Sequence, residues 1–408
     1  MSPPDYRARI KQFNGALNAF VDLTDAPQSD GLAWGVKSNI AVRGLPLTAG
    51  CAAYRQRIAS RDAAVIQRIR AGHGIVLGTV NMHEGALGAT TDNEAYGRTH
   101  NPWHTALTPG GSSGGSGAAV AAGLCDAALG TDTMGSVRIP AAYCGVQGHK
   151  PTSGIVPDDG VVPLSTTLDH VGPLARDVET LWTAMYVLAE WGEPTSLTKL
   201  SLDGMRIGIW DGSGAVDLTP AVSKGFARVV GALEGAGAKT RSISPPVYDY
   251  SSSRRAGLVV SEVEGALEHG VTAEGGRPHG MSDTFYSLLH WGVRQPVAKV
   301  EAAYAHIEEV HAAAAQVWDA VDFVLAPTAP QEAFRFDDGA PANQADFTAW
   351  ADFARLPATA LFTGLSDEGR PLSVQLIGPE GQDRQTLKAA ASLEALFCKP
   401  PMPPGYDW

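Results

Sequence analysis

Cysteine is scarce in this sequence, and what there is stands apart: Cys51, Cys125, Cys144 and Cys398 form no C-x-x-C pair. That spacing argues against a zinc knuckle, a redox dithiol or a disulfide framework, and it fits a reducing cytosol. Positive charge is in short supply too. The 408 residues carry 31 Lys and Arg against 43 Asp and Glu, a formal net charge of −12. Such a surface repels phosphate backbones and anionic membranes, so neither nucleic acid nor a membrane is an expected partner. Long apolar runs are also missing. Met1-Ser-Pro-Pro-Asp-Tyr-Arg7 has no apolar signal core, and the small-residue stretch Ala118 to Leu124 is far too short to span a bilayer. These absences predict a cytoplasmic protein. No Pro/Ser-rich linker divides the chain, so 1–408 reads as one large domain.

What is present supports a packed core: 44% of residues are hydrophobic and 18% charged, the balance of a globular chain. Ile10, Phe13, Leu17 and Phe20 recur at helical spacing in Arg7 to Phe20. Leu32 to Ile40 is a short, mainly apolar run, turned at Gly44 and Pro46. A helix predicted over Asp62 to Arg70 leads through Gly72 and Gly74 into a buried strand, Ile75 to Val80. The same order returns further on, with a helix over Ala221 to Leu233, Gly235 and Gly237, then a strand over Thr240 to Ile243. This alternation predicts an α/β architecture with a mainly parallel sheet. Residues 245–292 carry Ser251-Ser-Ser-Arg-Arg255 and several glycines; they read as irregular and as a lid or substrate-shaping segment.

Two stretches carry chemistry. The first is Thr108-Pro-Gly-Gly-Ser-Ser-Gly-Gly-Ser-Gly117. Its composition is that of a flexible linker, yet it runs directly into an Ala-rich segment, where Ala118 to Ala122 is read as the start of a small-residue helix. A Gly-rich turn opening a helix presents backbone N–H groups that can hold an anion or oxyanion. A phosphate-binding P-loop is excluded because no Gly-Lys-Ser/Thr ending follows, and the dinucleotide spacing fails as well. Gly111-Ser-Ser113-Gly-Gly115 matches the nucleophile elbow G-x-S-x-G, but prolines stand where that motif needs a preceding strand. The second stretch is Leu129-Gly-Thr-Asp-Thr-Met-Gly-Ser-Val-Arg138. Upstream, Lys37 sits in the apolar Gly35-Val-Lys-Ser-Asn39, where burial demands a partner or a shifted pKa.

These segments, with Asn101-Pro-Trp103, Lys150-Pro-Thr-Ser-Gly154, Asp169-His-Val-Gly-Pro173 and Ala326-Pro-Thr-Ala-Pro330, resemble the amidase signature family. Its members include malonamidase, allophanate hydrolase and the amide-cleaving component of glutamyl-tRNA amidotransferase. The core resemblance covers 32–181. It implies a single domain with a central mixed, mainly parallel sheet covered by helices on both faces. It also implies an amidase that cleaves the C–N bond of a small acyl amide or urea-derived substrate through an acyl-enzyme.

By the same resemblance Ser136 is the nucleophile, Ser112 the bridging serine after a cis peptide, and Lys37 the base. Ser113 is structural, and the backbone N–H groups of Thr133, Met134, Gly135 and Ser136 form the oxyanion hole. The chemistry agrees: an amide needs an activated serine, a stabilised oxyanion and a proton for the departing nitrogen, and a neutral lysine can serve both proton transfers. Arg138 is a candidate substrate-binding residue or a brace for the loop, the brace being favoured because malonamidase carries its substrate arginine one position later. Asp132 is expected to order the loop. His83, His104 and His170 form no metal-spaced set, and no cofactor is expected. Three departures from the family pattern stand out: Ser38 for Asp, Met134 for Gly, and His149 for Leu. A Cβ at Met134 restricts the oxyanion loop and either narrows the pocket or is tolerated.

The expected partner is a small-molecule amide, and a homodimer the expected assembly. The alternatives are an amide-hydrolysing subunit of a glutamine-dependent transamidase, or a catalytically silent binding paralogue.

Overall fold

The computed structural model describes residues 5–25, 31–193 and 195–407. Its strands are β1 (Phe20–Leu23), β2 (Ala33–Lys37), β3 (Ile75–Val80), β4 (Asp92–Asn93), β5 (Gly97–Arg98), β6 (Ala127–Asp132), β7 (Gln147–Lys150), β8 (His170–Ala175), β9 (Arg206–Ile209), β10 (Lys239–Ser242), β11 (Phe323–Pro327), β12 (Ala358–Leu365) and β13 (Pro371–Ile377). The helices are α1 (Tyr6–Leu17), α2 (Ala64–Ala71), α3 (Gly114–Ala121), α4 (Arg138–Cys144), α5 (Val178–Leu188), α6 (Pro220–Gly235), α7 (Tyr250–His269), α8 (Asp283–Val293), α9 (Val297–Ala314), α10 (Ala349–Phe353) and α11 (Asp383–Glu394).

Eleven strands form one mixed sheet in the order β1-β3-β2-β6-β8-β7-β12-β13-β11-β9-β10, and β4 and β5 pair separately. The parallel pairing implied by helix–strand alternation occurs in two blocks, β3-β2-β6 and β11-β9-β10. Antiparallel ladders join the two blocks through the centre. Successive side chains of a strand point to opposite faces, and here both faces are apolar. Trp34, Val36, Phe323 and Leu325 join α2, α5, α6 and α11 in one core. Ala33 faces α1, α3 and α4, while Val324 and Ala326 face α7, α9 and α10. The expected single domain with helices on both faces is thus what forms.

Two readings of local structure need correction. Ala118 to Ala122 is the end of α3, not its start, because the helix begins at Gly114 inside the Gly/Ser run. Residues 245–292 are largely helical, forming most of α7 and α8. The buried positions of α7 include Ser253, Gly257, Ser261 and Gly265, spaced four apart. A stripe of small residues packs a helix closely without leaving an apolar signature, which is why the sequence of this segment resembles a loop.

Candidate active site

Lys37, Val80 and Asp132 end the three parallel strands β2, β3 and β6, so their carboxyl ends share one edge of the sheet. Open α/β sheets bind ligands at such an edge. Lys37 is completely buried. Its Nζ donates to Ser112 Oγ and to Thr131 Oγ1, both at 2.7 Å. Neither contact is to a carboxylate. Burial lowers the ammonium to about pKa 7, with Asp169 and Asp132 working in the opposite sense from a distance.

Ser112 follows a cis Gly111–Ser112 peptide bond, as the resemblance implied. Its carbonyl accepts the His83 N–H at 3.0 Å. Ser113 is fixed to β6 from both sides, its Oγ donating to Thr131 O at 3.2 Å and accepting Thr131 N–H at 3.3 Å. The same residue's N–H reaches Ser136 O at 3.3 Å. The pair Ser112-Ser113 therefore links the buried lysine to the loop that carries Ser136. Ser136 and Met134 are partly exposed, whereas Lys37, Ser112, Thr131 and Asp132 are sealed. Among the described residues Ser136 Oγ makes no hydrogen bond.

The 133–137 loop is held from inside by the Asp132 carboxylate, which accepts N–H groups from Gly135, from Val137 at 3.1 Å and from Arg138 at 3.4 Å. From outside, Thr348 Oγ1 donates to Met134 O at 2.6 Å. Gly135 sits at φ +131°, and a Cβ there would lie 2.3 Å from Thr348 Oγ1, so only glycine fits. The predicted set of oxyanion donors needs one correction. The Gly135 N–H is already taken by Asp132, which leaves Thr133, Met134 and Ser136, for whose N–H groups no hydrogen bond occurs among the described residues. The Met134 side chain turns away from the sheet edge and packs into the α7–α10 core beside Phe353. Gly257 makes room for it: a Cβ at that position would come 2.4 Å from Met134 Sδ.

Arg138 is a correction as well. It is fully buried, and all five of its N–H donors are engaged. Nε and Nη2 grip Asp132 at 3.0 Å each, and Nη2 also reaches Asp352 at 2.6 Å. Nη1 donates to Thr348 O and Gln375 Oε1, both at 2.9 Å. Nothing remains to bind a substrate carboxylate, so the brace is the role the geometry allows. Burial alone would raise the Asp132 carboxyl, but the Arg138 guanidinium overrides it and holds that carboxyl far below the usual range.

The histidines are committed inside the protein. His149 bridges Thr359 Oγ1 at 2.9 Å and Asp383 Oδ1 at 3.4 Å, which accounts for a polar residue at that place. His83 and His170 are buried and held neutral, near pKa 4 and 3, by loss of hydration. Among the described residues no His/Cys/Asp/Glu group has metal-binding geometry, and no helix is long and apolar enough to cross a membrane. The four cysteines are free thiols.

Thr131, Thr348 and Asp352 were not singled out from sequence. Thr131 lies inside a motif that drew attention to its neighbours. Asp352 lies 214 residues from Arg138 with no local pattern to announce it.

Comparison with known proteins gives the class first. Over 97% of its length the chain superposes on a solved structure described as an amidase, with a TM-score of 0.86 and 28% identity across 95% of that structure. The chain belongs to the Amidase family, whose model matches residues 19–387. Among curated relatives it is 32% identical to the GatA-type chain of the glutamyl-tRNA(Gln) amidotransferase of Thermus thermophilus, covering 95% of this chain and 92% of the relative. The corresponding amidotransferase chain of Halothermothrix orenii is 31% identical over 93% of this chain and 87% of the relative. That of Thermotoga maritima, a solved structure, superposes with a TM-score of 0.85 at 26% identity, over 97% of this chain and 93% of that one. A protein from a vestigial complex related to an s-triazine catabolic enzyme does so at 0.85 and 30%, over 96% and 93%.

Proposed function

We propose that this amidase cleaves a carboxamide C–N bond through Ser136, Ser112 and Lys37. The observation that carries the reading is the 2.7 Å contact between Lys37 Nζ and Ser112 Oγ in a fully buried setting. Neutral Lys37 takes the Ser112 hydroxyl proton as Ser112 takes that of Ser136, and Ser136 Oγ adds to the substrate carbonyl carbon. The N–H groups of Thr133, Met134 and Ser136 receive the oxyanion. The proton on Lys37 returns through Ser112 to the departing nitrogen, the C–N bond breaks, and water later frees the acyl group by the same relay. Residues 32–181 carry this chemistry, and 245–292 shape the substrate pocket, since α7 packs over Met134.

Of two settings, the amide-hydrolysing subunit of a glutamine-dependent transamidase fits the curated relatives better, and there the partner is another protein chain. A hydrolase acting alone, as a homodimer, on a small acyl amide or ureide fits the solved amidase. Either works in the cytoplasm, where the four free thiols stay reduced. An ammonia-release screen with glutamine, asparagine, small mono- and diamides and ureides separates them. Glutamine turnover that rises on adding a co-purifying partner supports the transamidase setting, and turnover of small amides by the chain alone supports the hydrolase. Ser136 unlabelled by a fluorophosphonate, with no ammonia from any amide, would leave only the silent binding paralogue.

A further inference from the structure

Asp169 precedes β8, outside the Lys37–Ser112–Ser136 set, yet it joins two parts of the centre. Its Oδ1 accepts the Thr133 hydroxyl at 2.6 Å, at the root of the loop that carries Ser136. Its Oδ2 accepts the N–H groups of Leu164 at 2.8 Å and Ser165 at 3.2 Å. That 164–165 turn is held in turn by α7, because Glu264 accepts the Ser165 and Thr167 hydroxyls and the Thr167 N–H. Asp169 is partly exposed, as are Ser136 and Met134, in surroundings that are otherwise sealed.

We infer that Asp169 is a positioning residue for this centre, tying the 133–136 loop to the 164–165 turn and setting a negative charge where Lys37 feels it. The inference rests on the reading of Lys37 as the base. Lys37 faces Asp132 from β6, Asp169 from the approach to β8, and His83 from the segment after β3. Arg138 neutralises Asp132 directly, through two hydrogen bonds. His83 is neutral above about pH 4. Among the described residues Asp169 has no cation bonded to it, and of the two carboxylates it acts more strongly on Lys37. Its own carboxyl is raised by burial to about pKa 6, so it is ionised at neutral pH. An anion there favours the ammonium and offsets part of the desolvation that drives Lys37 toward the free amine. Without it, Lys37 would lose its proton at lower pH and return it less readily to the leaving nitrogen.

The test is a set of pH–rate profiles for amide hydrolysis by the full chain: wild type, Lys37→Ala, Asp169→Asn, Thr133→Val and Thr133→Ser. Wild type should show a rising limb that Lys37→Ala removes. Asp169→Asn should move that limb to lower pH by at least about half a unit, the direction expected when a negative neighbour is lost. An Asn amide cannot accept both turn N–H groups, so the Thr133 pair supplies an independent reading. Thr133→Val should cut kcat by about tenfold with little change in KM and the limb in place, the effect of a loosened oxyanion loop, and Thr133→Ser should restore it. Wild-type limb position in folded Asp169→Asn, or wild-type kcat in Thr133→Val, overturns the inference. If Lys37→Ala keeps the limb, the base assignment has failed and the inference falls with it, a result distinct from the other two.

Discussion

Two cations lie fully buried at the same edge of the sheet, and the protein treats them in opposite ways. Lys37 is given two hydroxyl partners and no bonded carboxylate, so desolvation lowers its pKa toward neutrality. Arg138 is clamped between the carboxylates of Asp132 and Asp352, which overcome desolvation and raise its pKa. Neutral partners leave a buried cation free to give up its proton; charged partners make it a strut. Residue choice follows the same logic, since lysine titrates readily on burial and arginine does not.

The comparison breaks most sharply at activity. Ser136→Ala should abolish turnover and fluorophosphonate labelling, while Ser113→Ala should keep labelling and lose only rate or stability. Labelling at Ser113 instead would revive the nucleophile-elbow reading. Lys37→Ala should cut amide hydrolysis by about 10²–10⁴-fold, the usual scale of general acid–base catalysis, and remove a pH–rate limb. That limb is expected near pH 7 in the wild type. Lys37→Arg should fare no better, because a guanidinium stays protonated. An activated ester should lose less than an amide, since its leaving group needs no proton. An unchanged amide profile in Lys37→Ala would end the mechanism.

Stability sharpens the same contrast, because replacement by methionine should move the two sites in opposite directions. Arg138→Met strands two buried carboxylates and should destabilise by about 3–5 kcal/mol, read as a lower urea midpoint. Lys37→Met removes a group whose folded pKa, about 7, lies below its ordinary 10.5. Between those values the unfolded chain binds more protons, so wild-type stability rises with pH through that window. The methionine variant should therefore be the more stable protein at pH 7, with the advantage shrinking toward pH 10. Destabilisation by both replacements would show that Lys37, too, is a strut.

How far the sequence foretold this depends on where the determining contacts lie. The strand at Ile75 to Val80 was legible to the residue because its apolar run is local. Lys37, Ser112 and Ser136 were legible because the motifs around them are compact and ordered. β7, Gln147 to Lys150, shows no apolar pattern because its buried side chains are polar and satisfied by distant partners such as Thr359 and Asp383. The engagement of the Gly135 N–H by Asp132 depends on how the loop folds back on itself, which residue spacing does not encode. Arg138 was readable as a brace in outline, but Asp352, which completes its clamp, comes from an element near the other end of the chain.

The smallest expected effect tests why a methionine is accommodated in the loop. The Met134 sulfur occupies space left by Gly257 of α7, beside the ring of Phe353. Gly257→Ala would bring a methyl group within 2.4 Å of that sulfur, and the Phe353 ring lies 2.7 Å away on the same side. Alanine is the better helix former, worth about 1 kcal/mol in an open helix, so strain and propensity oppose each other here. Overpacking of a tight contact costs about 1–3 kcal/mol, enough to win. Gly257→Ala should therefore lower the urea midpoint modestly and reduce kcat, because the displaced methionine pulls on the backbone beside Ser136. In a Met134→Ala background the clash with sulfur is gone, so the same substitution should lose less stability. The double-mutant cycle reads that coupling directly. Identical effects of Gly257→Ala in both backgrounds would mean that α7 and the loop are energetically independent, and that Met134 is held by Phe353 alone.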